Sequence, residues 1–459
     1  MISYSIIQKS QLEGALRLDA EYYQPEYLNL ISNLKSQKSK FLKELADKVF
    51  SGPFGSTLKS ESYQMYGIPF IRIGDISDVF IERENLVYIS EAEHKRIFST
   101  HLNPGDIVFS KIGTIGRLSM ISEDLGQVNI SENNIGIRLS KLSPQAKAGL
   151  LFFLLSKYGQ LQILRSASGN IQQKLNVSDI ESVKVPILST QFQKELWELY
   201  KKIMQLRKQS ESLYSQAEDL LLEELGIKDF EIDDDLSYIV NLSEIKSAHR
   251  ADAEYFQPKY EKIVSKLKKQ NAKPIRELSQ FVGHATQSPY DEIGDIAVLA
   301  QKHMKRNLAI DTSAFDNYTT ENLIKKSDKK FILKNSDVLI SSAGEPGLTC
   351  VWTEGSKVIP GSFVTIARFA GEIEPFYAGV FLNTIAGRLQ FERDYTGSVQ
   401  QYVYPVKIKE IIIPILPKPT QQKIADLVQK SHEARKKAKE LLEEAKQKVE
   451  NAIENEINK

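Results

Sequence analysis

The chain is poor in cysteine: its 459 residues contain one, Cys350. A single thiol excludes an internal disulfide framework and any cysteine-rich zinc module, and it fits a reducing compartment. Long apolar runs are also missing. The longest, Leu150-Leu151-Phe152-Phe153-Leu154-Leu155, falls far short of the ~20 residues that a membrane-spanning helix needs. The first residues, Met1-Ile2-Ser3-Tyr4-Ser5, do not have the basic-then-apolar build of a secretory signal. These absences predict a cytoplasmic protein. There is no excess of one charge either: 60 Lys and Arg stand against 59 Asp and Glu, for a net +1. That is not the overall basicity that often marks nucleic-acid binders. A balanced total still accommodates a basic face backed by acidic ones, because a polyanion responds to the local field. The six histidines show no metal-ligand spacing, so no metal is assigned.

What is present is a globular composition, 41% hydrophobic and 26% charged. At roughly 150 residues per domain, the length suggests about three units, or two with extended elements. Internal repeats decide the matter. Arg17-Leu18-Asp19-Ala20-Glu21-Tyr22-Tyr23-Gln24-Pro25-Glu26-Tyr27 returns half a chain later as Arg250-Ala251-Asp252-Ala253-Glu254-Tyr255-Phe256-Gln257-Pro258-Lys259-Tyr260. At nearly the same offset, Asn103-Pro104-Gly105-Asp106-Ile107-Val108-Phe109-Ser110 is echoed by Lys334-Asn335-Ser336-Asp337-Val338-Leu339-Ile340-Ser341. Gly113 and Gly116 answer to Gly344 and Gly347, and Gly169-Asn170-Ile171-Gln172-Gln173 to Gly397-Ser398-Val399-Gln400-Gln401. Val183-Lys184-Val185-Pro186-Ile187-Leu188 answers to Ile411-Ile412-Ile413-Pro414-Ile415-Leu416. Several matches in one order at one offset mean duplication.

Each copy has a mixed α/β (α+β) part, residues 1–188 and 227–417, in which short β-branched runs alternate with helical stretches. Each then has a helix, residues 189–226 and 418–459. In the first helix Leu196, Leu199, Ile203, Leu206, Ser210, Leu213, Ala217 and Leu220 step by four and three, the seam of a coiled coil. Thr190 and Gln193 have capping-box spacing, and Gly226 stands where a glycine would end the helix. Ile424, Leu427, Ser431, Ala434, Ala438, Leu441 and Ala445 repeat the seam. Two globules alternating with two such helices predict an antiparallel helix pair with pseudo-two-fold symmetry. A helix of about 36 residues would give a spacer of roughly 50 Å. A rigid spacer between similar modules suits a long, stiff ligand with two-fold backbone symmetry, and duplex DNA is such a ligand.

The same residues resemble the specificity subunits of type I restriction–modification systems over essentially the whole chain. The resemblance rests on the Gly/Ser-rich loop 51–60, on Tyr66-Gly67-Ile68-Pro69-Phe70-Ile71, and on Pro104-Gly105-Asp106-Ile107-Val108-Phe109-Ser110-Lys111-Ile112-Gly113-Thr114-Ile115-Gly116. It also rests on Gly169 with Gln172 and Gln173, and on an apolar-Pro strand entering Thr190-Gln191-Phe192-Gln193, repeated as Thr420-Gln421-Gln422-Lys423. The second half departs from the pattern. Gly344-Glu345-Pro346-Gly347 lacks the basic residue, and residues 295–305 show no Tyr-Gly-Ile-Pro counterpart. The resemblance implies two target recognition domains that read the two different halves of a gapped DNA site, with no catalysis in this chain. It also implies two docked modification subunits that use S-adenosylmethionine, a recruited restriction–translocation subunit, and no membrane.

Groups suited to phosphates and base edges are Lys, Arg, His, hydroxyls and amides. In the first copy these are Ser51, Thr57, Lys59, Ser60, Arg72, Ser110, Lys111, Thr114, Arg117, Asn133, Asn134, Gln172, Gln173 and Lys174. In the second they are His284, Thr286, Gln287, Lys302, His303, Lys305, Arg306, Ser341, Ser342, Gln400, Gln401 and Tyr402. Ordinary surface loops, an Asn-Asn turn and a solvated cationic face at residues 302–306 are the plainer readings of the same residues. The recurrence of Gln172, Gln173, Gln400 and Gln401 points to framework or phosphate duty, since base-reading residues should differ between copies. Arg17, Asp19 and Glu21, with Arg250, Asp252 and Glu254, read as structural ion pairs.

Two other classes compete. A DNA methyltransferase needs a glycine-rich cofactor loop and an Asn/Asp/Ser-Pro-Pro-aromatic motif, of which Ser288-Pro289-Tyr290 is a fragment; no phosphate loop serves a nuclease motor. A coiled-coil scaffold would bind only protein, and its chain would not retain duplex DNA in a salt-sensitive way. The spacer reading makes its own prediction. Inserting one heptad after Leu206 should change the gap of the recognised site and leave both half-site sequences intact, as read by methylation mapping. Altered half-site sequences would refute it.

Overall fold

The computed structural model describes residues 4–10, 12, 17–35, 38–53, 58–167, 174–232, 237–353, 355–397 and 399–457. They fall into two compact units, Met1–Gln205 with Lys437–Lys459, and Leu206–Lys436. Both are mixed α/β. In unit 1 an antiparallel sheet runs in the order Lys48–Ser51, Asn134–Arg138, Ile107–Ser110, Leu118–Met120. A second sheet runs Val87–Ile89, Ile68–Ile71, Val128–Ile130, His101–Leu102, and its central pair is parallel. Every residue of Ile107–Ser110, Leu118–Met120 and Val128–Ile130 is buried, so both faces of these strands are covered.

Unit 2 repeats the plan. Its antiparallel sheet runs Ser279–His284, Val364–Phe369, Val338–Ser341, Thr349–Val351. Its second sheet runs Tyr318–Thr319, Ile296–Leu299, Val358–Pro360, again with a parallel pair. Ile296–Leu299 therefore occupies the place of Ile68–Ile71. The counterpart of the Tyr-Gly-Ile-Pro segment, which the sequence did not reveal, is Gly294-Asp295-Ile296-Ala297.

The longest apolar run of the chain lies in the helix Pro144–Leu155, where residues 148–155 are all buried. A helix apolar on every side belongs in a core. Ser143 caps it by accepting the Ala146 N–H, and Pro144 fills the first position, where a missing N–H costs nothing. Its twin in unit 2, Pro375–Asn383, is buried over 376–382 and is capped by the Glu374 carboxylate.

The duplicated Arg-x-Asp-Ala-Glu-Tyr segment is structural. Arg17 pairs with Asp19 and donates to the Ser166 carbonyl at 3.3 Å, and the Tyr22 ring lies 3.7 Å from the Arg165 guanidinium. In unit 2 Arg250 pairs with Asp252 and donates to the Tyr395 carbonyl at 3.2 Å, with Tyr255 beside Arg393 at 4.7 Å. Each set ties the segment to the end of a core helix.

The two long helices span Thr190–Glu224 and Lys418–Ile457. In the first, Leu196, Ile203, Ser210 and Ala217 are buried at intervals of seven, whereas Leu199, Leu206, Leu213 and Leu220 are half-buried. In the second, Val428 and Leu442 are buried in preference to the expected Leu427 and Leu441. The seam is thus wider than a strict two-position stripe, as happens when a helix packs on a globule as well as on a partner helix. The cap of the first helix is Ser189, whose Oγ accepts the Phe192 N–H at 3.2 Å, rather than Thr190. Gln193 donates instead to the Leu188 carbonyl, and Gln421 does the same to Leu416. That bond aligns Gln193 with Gln421 and shifts the expected Thr-Gln match by two residues. Gly226 ends the helix at φ 58°, with the Ile227 N–H reaching back to the Leu222 carbonyl.

Within unit 2 the two helices meet at a fully buried serine pair, Ser210 Oγ and Ser431 Oγ, 3.0 Å apart. Ser210 lies early in its helix's share of the unit and Ser431 late in its own, so the helices run antiparallel there. Ala217, Leu221, Ile424, Ala425 and Val428 continue the interface into the unit's core. Among the described residues no helix is long and apolar enough to cross a membrane.

Burial pushes the Glu374 carboxyl up to about 7, with Lys418 pulling against it. Unfolded, the group ionises near its ordinary 4.5; folded, it keeps its proton to about 7. Stability from this site is therefore fully present at acid pH and is lost as pH rises from about 4.5 to about 7. Glu374→Gln should flatten that part of the denaturant-midpoint-versus-pH curve, and a curve of unchanged shape would contradict the assignment.

Candidate nucleic-acid interface

At one edge of unit 1, backbone hydrogen bonds knit together loops that are far apart in sequence. The Lys111 N–H donates to the Asn133 carbonyl at 2.9 Å, and the Lys111 carbonyl accepts the Leu175 N–H at 3.0 Å. The Ser131 N–H and Asn134 Nδ2 both donate to the Ile71 carbonyl, at 2.9 and 2.8 Å. Lys111 Nζ donates to Ser51 Oγ at 2.9 Å. Ser51, Arg72, Lys111, Asn133 and Lys174 are thereby brought to one place. Beside them a concavity of about 450 Å³ is lined by Tyr63, Arg72, Asp75, Asn85, Glu132 and Asn133 among others. Arg72 is held there by Asp75 at 3.3 Å and by the Asn85 carbonyl.

Partial burial pulls the Lys111 ammonium below the usual lysine range, and neighbouring Lys174 adds to this while Glu132 opposes it. Two cations crowded in this way gain from a polyanion. Burial also pushes the Asp75 carboxyl up despite Arg72, and pushes the Tyr63 hydroxyl up with help from Glu132.

Unit 2 builds the same backbone. The Ser342 N–H donates to the Phe363 carbonyl at 2.7 Å, and the Ser342 carbonyl accepts the Val403 N–H at 2.9 Å. The loop that follows is closed by Ser341 N–H to the Leu348 carbonyl, as Ser110 N–H to the Arg117 carbonyl closes the first, both at 2.9 Å. Gly113 and Gly116 have φ of 77° and 89°, and Gly344 and Gly347 have 79° and 91°, a region only glycine enters freely. Ser110 Oγ and Ser341 Oγ each donate to the carbonyl two residues on. A short turn is capped in both, by Asp75 accepting the Arg72 N–H and by His303 Nδ1 accepting the Ala300 N–H.

This register aligns Lys111 with Ser342, Asn133 with Phe363, Lys174 with Tyr402, Asn176 with Tyr404, and Arg72 with Ala300. The cradle is shared and the side chains differ. In unit 2 they form an aromatic corner, with Tyr402 edge-on to Phe363 and to Tyr404 at ring distances of 6.1 and 4.9 Å. Burial pushes the Tyr402 hydroxyl up, and Tyr404 adds to the shift.

Several expected contact residues lie inside the fold, where they meet no ligand. Ser110, Asn134, Ser341, Ser342 and His303 are buried; the three hydroxyls, Asn134 Nδ2 and His303 Nδ1 bond within the unit, while Asn134 Oδ1 and His303 Nε2 have no hydrogen-bond partner among the described residues. The run 302–306 does not form one cationic patch, because His303 and Met304 in its middle are buried and the cations at its two ends are ion-paired. Lys302 pairs with Asp316, and Arg306 pairs with Glu345 while its carbonyl accepts from Tyr214 and Asn383 at 2.7 Å. Burial, then Lys302, lowers the His303 imidazole below its usual range. Lys305 is half-buried. Thr286 Oγ1 donates to the Asp328 carboxylate.

Lys59, Ser60, Thr114, Arg117, Lys174, His284, Gln287, Gln400 and Gln401 are exposed, and Ser51, Arg72, Lys111, Asn133 and Tyr402 are half-buried. Thr57, Gln172 and Gln173 lie outside the described residues. The sequence reading missed Tyr63, Phe363 and Tyr404. Carrying the repeat offset through Asn133 would have found Phe363, but nothing in its residue type announces an exposed position.

The family model of the type I restriction modification DNA specificity domain matches residues 35–212 and 287–449. The chain belongs to that family and carries the domain twice. A similar curated protein is the type I restriction enzyme EcoBI specificity subunit of Escherichia coli, 26% identical over 159 residues; the match covers 34% of this chain and 32% of that protein. The chain thus spans about a third of the length of the curated relative. Among solved structures, the S subunit of a type I restriction–modification system from M. genitalium is 14% identical with a TM-score of 0.37, covering 92% of this chain and 95% of the other. The HsdS subunit from Thermoanaerobacter tengcongensis is 12% identical with a TM-score of 0.28, covering 92% and 96%.

If the Lys111–Lys174 corner faces phosphates, Lys111→Gln and Lys174→Gln should each weaken duplex binding for all sequences alike. Each should also lower the slope of log affinity against log salt by about one. Filter retention across a salt series measures this, and unchanged slopes in both variants would remove the corner from the interface.

Proposed function

We propose that this chain is the DNA sequence-specificity subunit of a type I restriction–modification complex, acting in the cytoplasm and without catalysis of its own. Each unit reads one half of a gapped duplex site, and the halves differ in sequence. The long helices set the gap and dock two modification subunits, which bring S-adenosylmethionine and the methyl-transfer chemistry. A restriction–translocation subunit joins the same assembly. The observation that carries the reading is the one cradle built twice, from Lys111 and from Ser342, with different side chains mounted on the same hydrogen bonds. A catalyst needs the same reactive groups wherever its site recurs, whereas a reader of two different sequences needs different ones. Family membership supports the same reading.

Mapping methylated bases in the host genome by single-molecule sequencing should yield a bipartite motif with a fixed gap. Exchanging residues 40–135 for those of a relative should then alter one half of that motif. A change in both halves, or a continuous motif, would overturn the assignment of one half-site to each unit.

A further inference from the structure

The three positions that are Asn133, Lys174 and Asn176 in unit 1 are Phe363, Tyr402 and Tyr404 in unit 2. We infer that this aromatic corner seats the C5-methyl group of a thymine in the major groove. The half-site of unit 2 is then read in part by apolar contact, and that of unit 1 by hydrogen bonds and charge. The inference rests on the DNA-reading role proposed above and specifies how one of the two sites does its work.

Three observations support it. Phe363 and Tyr404 are 56% and 54% exposed, although the residues whose backbone holds them, Ser342 and Val403, are buried. The fold thus holds apolar rings out at the edge where unit 1 presents amides and a cation. Second, Ser342, Phe363, Tyr402 and Tyr404 carry no charge, so this corner does not offer the phosphate neutralisation that Lys111 and Lys174 offer in unit 1. Third, Phe363 has no donor or acceptor with which to read a base edge, and the thymine methyl is the apolar feature of the major-groove edges. The two edge-on ring pairs place the three rings against one another, which lessens the side-chain entropy lost when the corner is covered.

The test uses the full-length chain and duplexes it selects from a random-sequence library. The half belonging to unit 2 is the one left unaltered by the 40–135 exchange. Thymines in that half are replaced by deoxyuridines, which removes only the methyl groups. Wild-type affinity should fall about fourfold for each contacted methyl. Phe363→Ala, checked for an unchanged thermal midpoint, should bind both duplexes equally, whereas Asn133→Ala should keep the discrimination. Tyr404→Ala should reduce it, as a second probe of the same corner.

The inference is overturned if the wild type binds both duplexes equally, if Phe363→Ala still discriminates, or if the selected half-site contains no thymine. Equal binding is also what rings stacked on an extruded base would give, since uracil and thymine share that face. Failure of the wild type to select any sequence would be a different result, and it would overturn the DNA-reading role itself.

Discussion

In each unit a short buried strand, Ile107–Ser110 or Val338–Ser341, is followed by one residue whose N–H and carbonyl are both held by other loops. Lys111 is held by Asn133 and Leu175, and Ser342 by Phe363 and Val403. These bonds bring together the loop after one strand, the loop before its neighbour, and the segment that leads out of the globule. The glycine loop, the capped turn at Asp75 or His303, and the end of the edge strand all take their positions from that junction. Its bonds are backbone to backbone, so the side chains at Lys111 and Ser342, Asn133 and Phe363, and Lys174 and Tyr402 can differ without breaking them.

That independence permits the two corners to differ as far as Lys111 with Lys174 on one side and an aromatic group on the other. It also reconciles the composition with the proposed role. With a net charge of +1, attraction to a polyanion depends on where cations are placed, as at Lys111 and Lys174. Several others are already spent: Lys302 on Asp316, Arg306 on Glu345, Arg72 on Asp75. Cations engaged in this way shape loops and give less to the external field, and discrimination passes to shape and to base-edge chemistry.

The long helices obey a different constraint. Their buried stripe includes Ser210 and Ser431, which bond to each other in an otherwise largely apolar interface. A buried polar pair gives up some stability and favours one register, because a slip of the helices would leave both hydroxyls unpaired. A fixed register is what the proposed spacer role asks of these helices.

Much of this was legible in the sequence. The duplication, the two heptad helices, the Gly226 stop and the structural nature of Arg17 and Arg250 all follow from local chemistry. Helical period, helix-ending glycine and repeated strings need no knowledge of what lies across space. Other features were decided only by the tertiary structure. Gly294-Asp295-Ile296-Ala297 shares only its isoleucine with Tyr-Gly-Ile-Pro, and its pairing in the sheet identifies it. Ser110, Asn134, His303, Ser341 and Ser342 look like ligand-binding residues in a string, yet all are buried, three of them in paired strands, Ser342 just after one and His303 in a short helical turn. Phe363 looks like core and is exposed, because the N–H of Ser342 holds its backbone at the rim. Local periodicity and chain chirality act within a few residues and can be read along the chain. Burial and partnership are set by segments tens to hundreds of residues away, and they exist only once the sheets have paired.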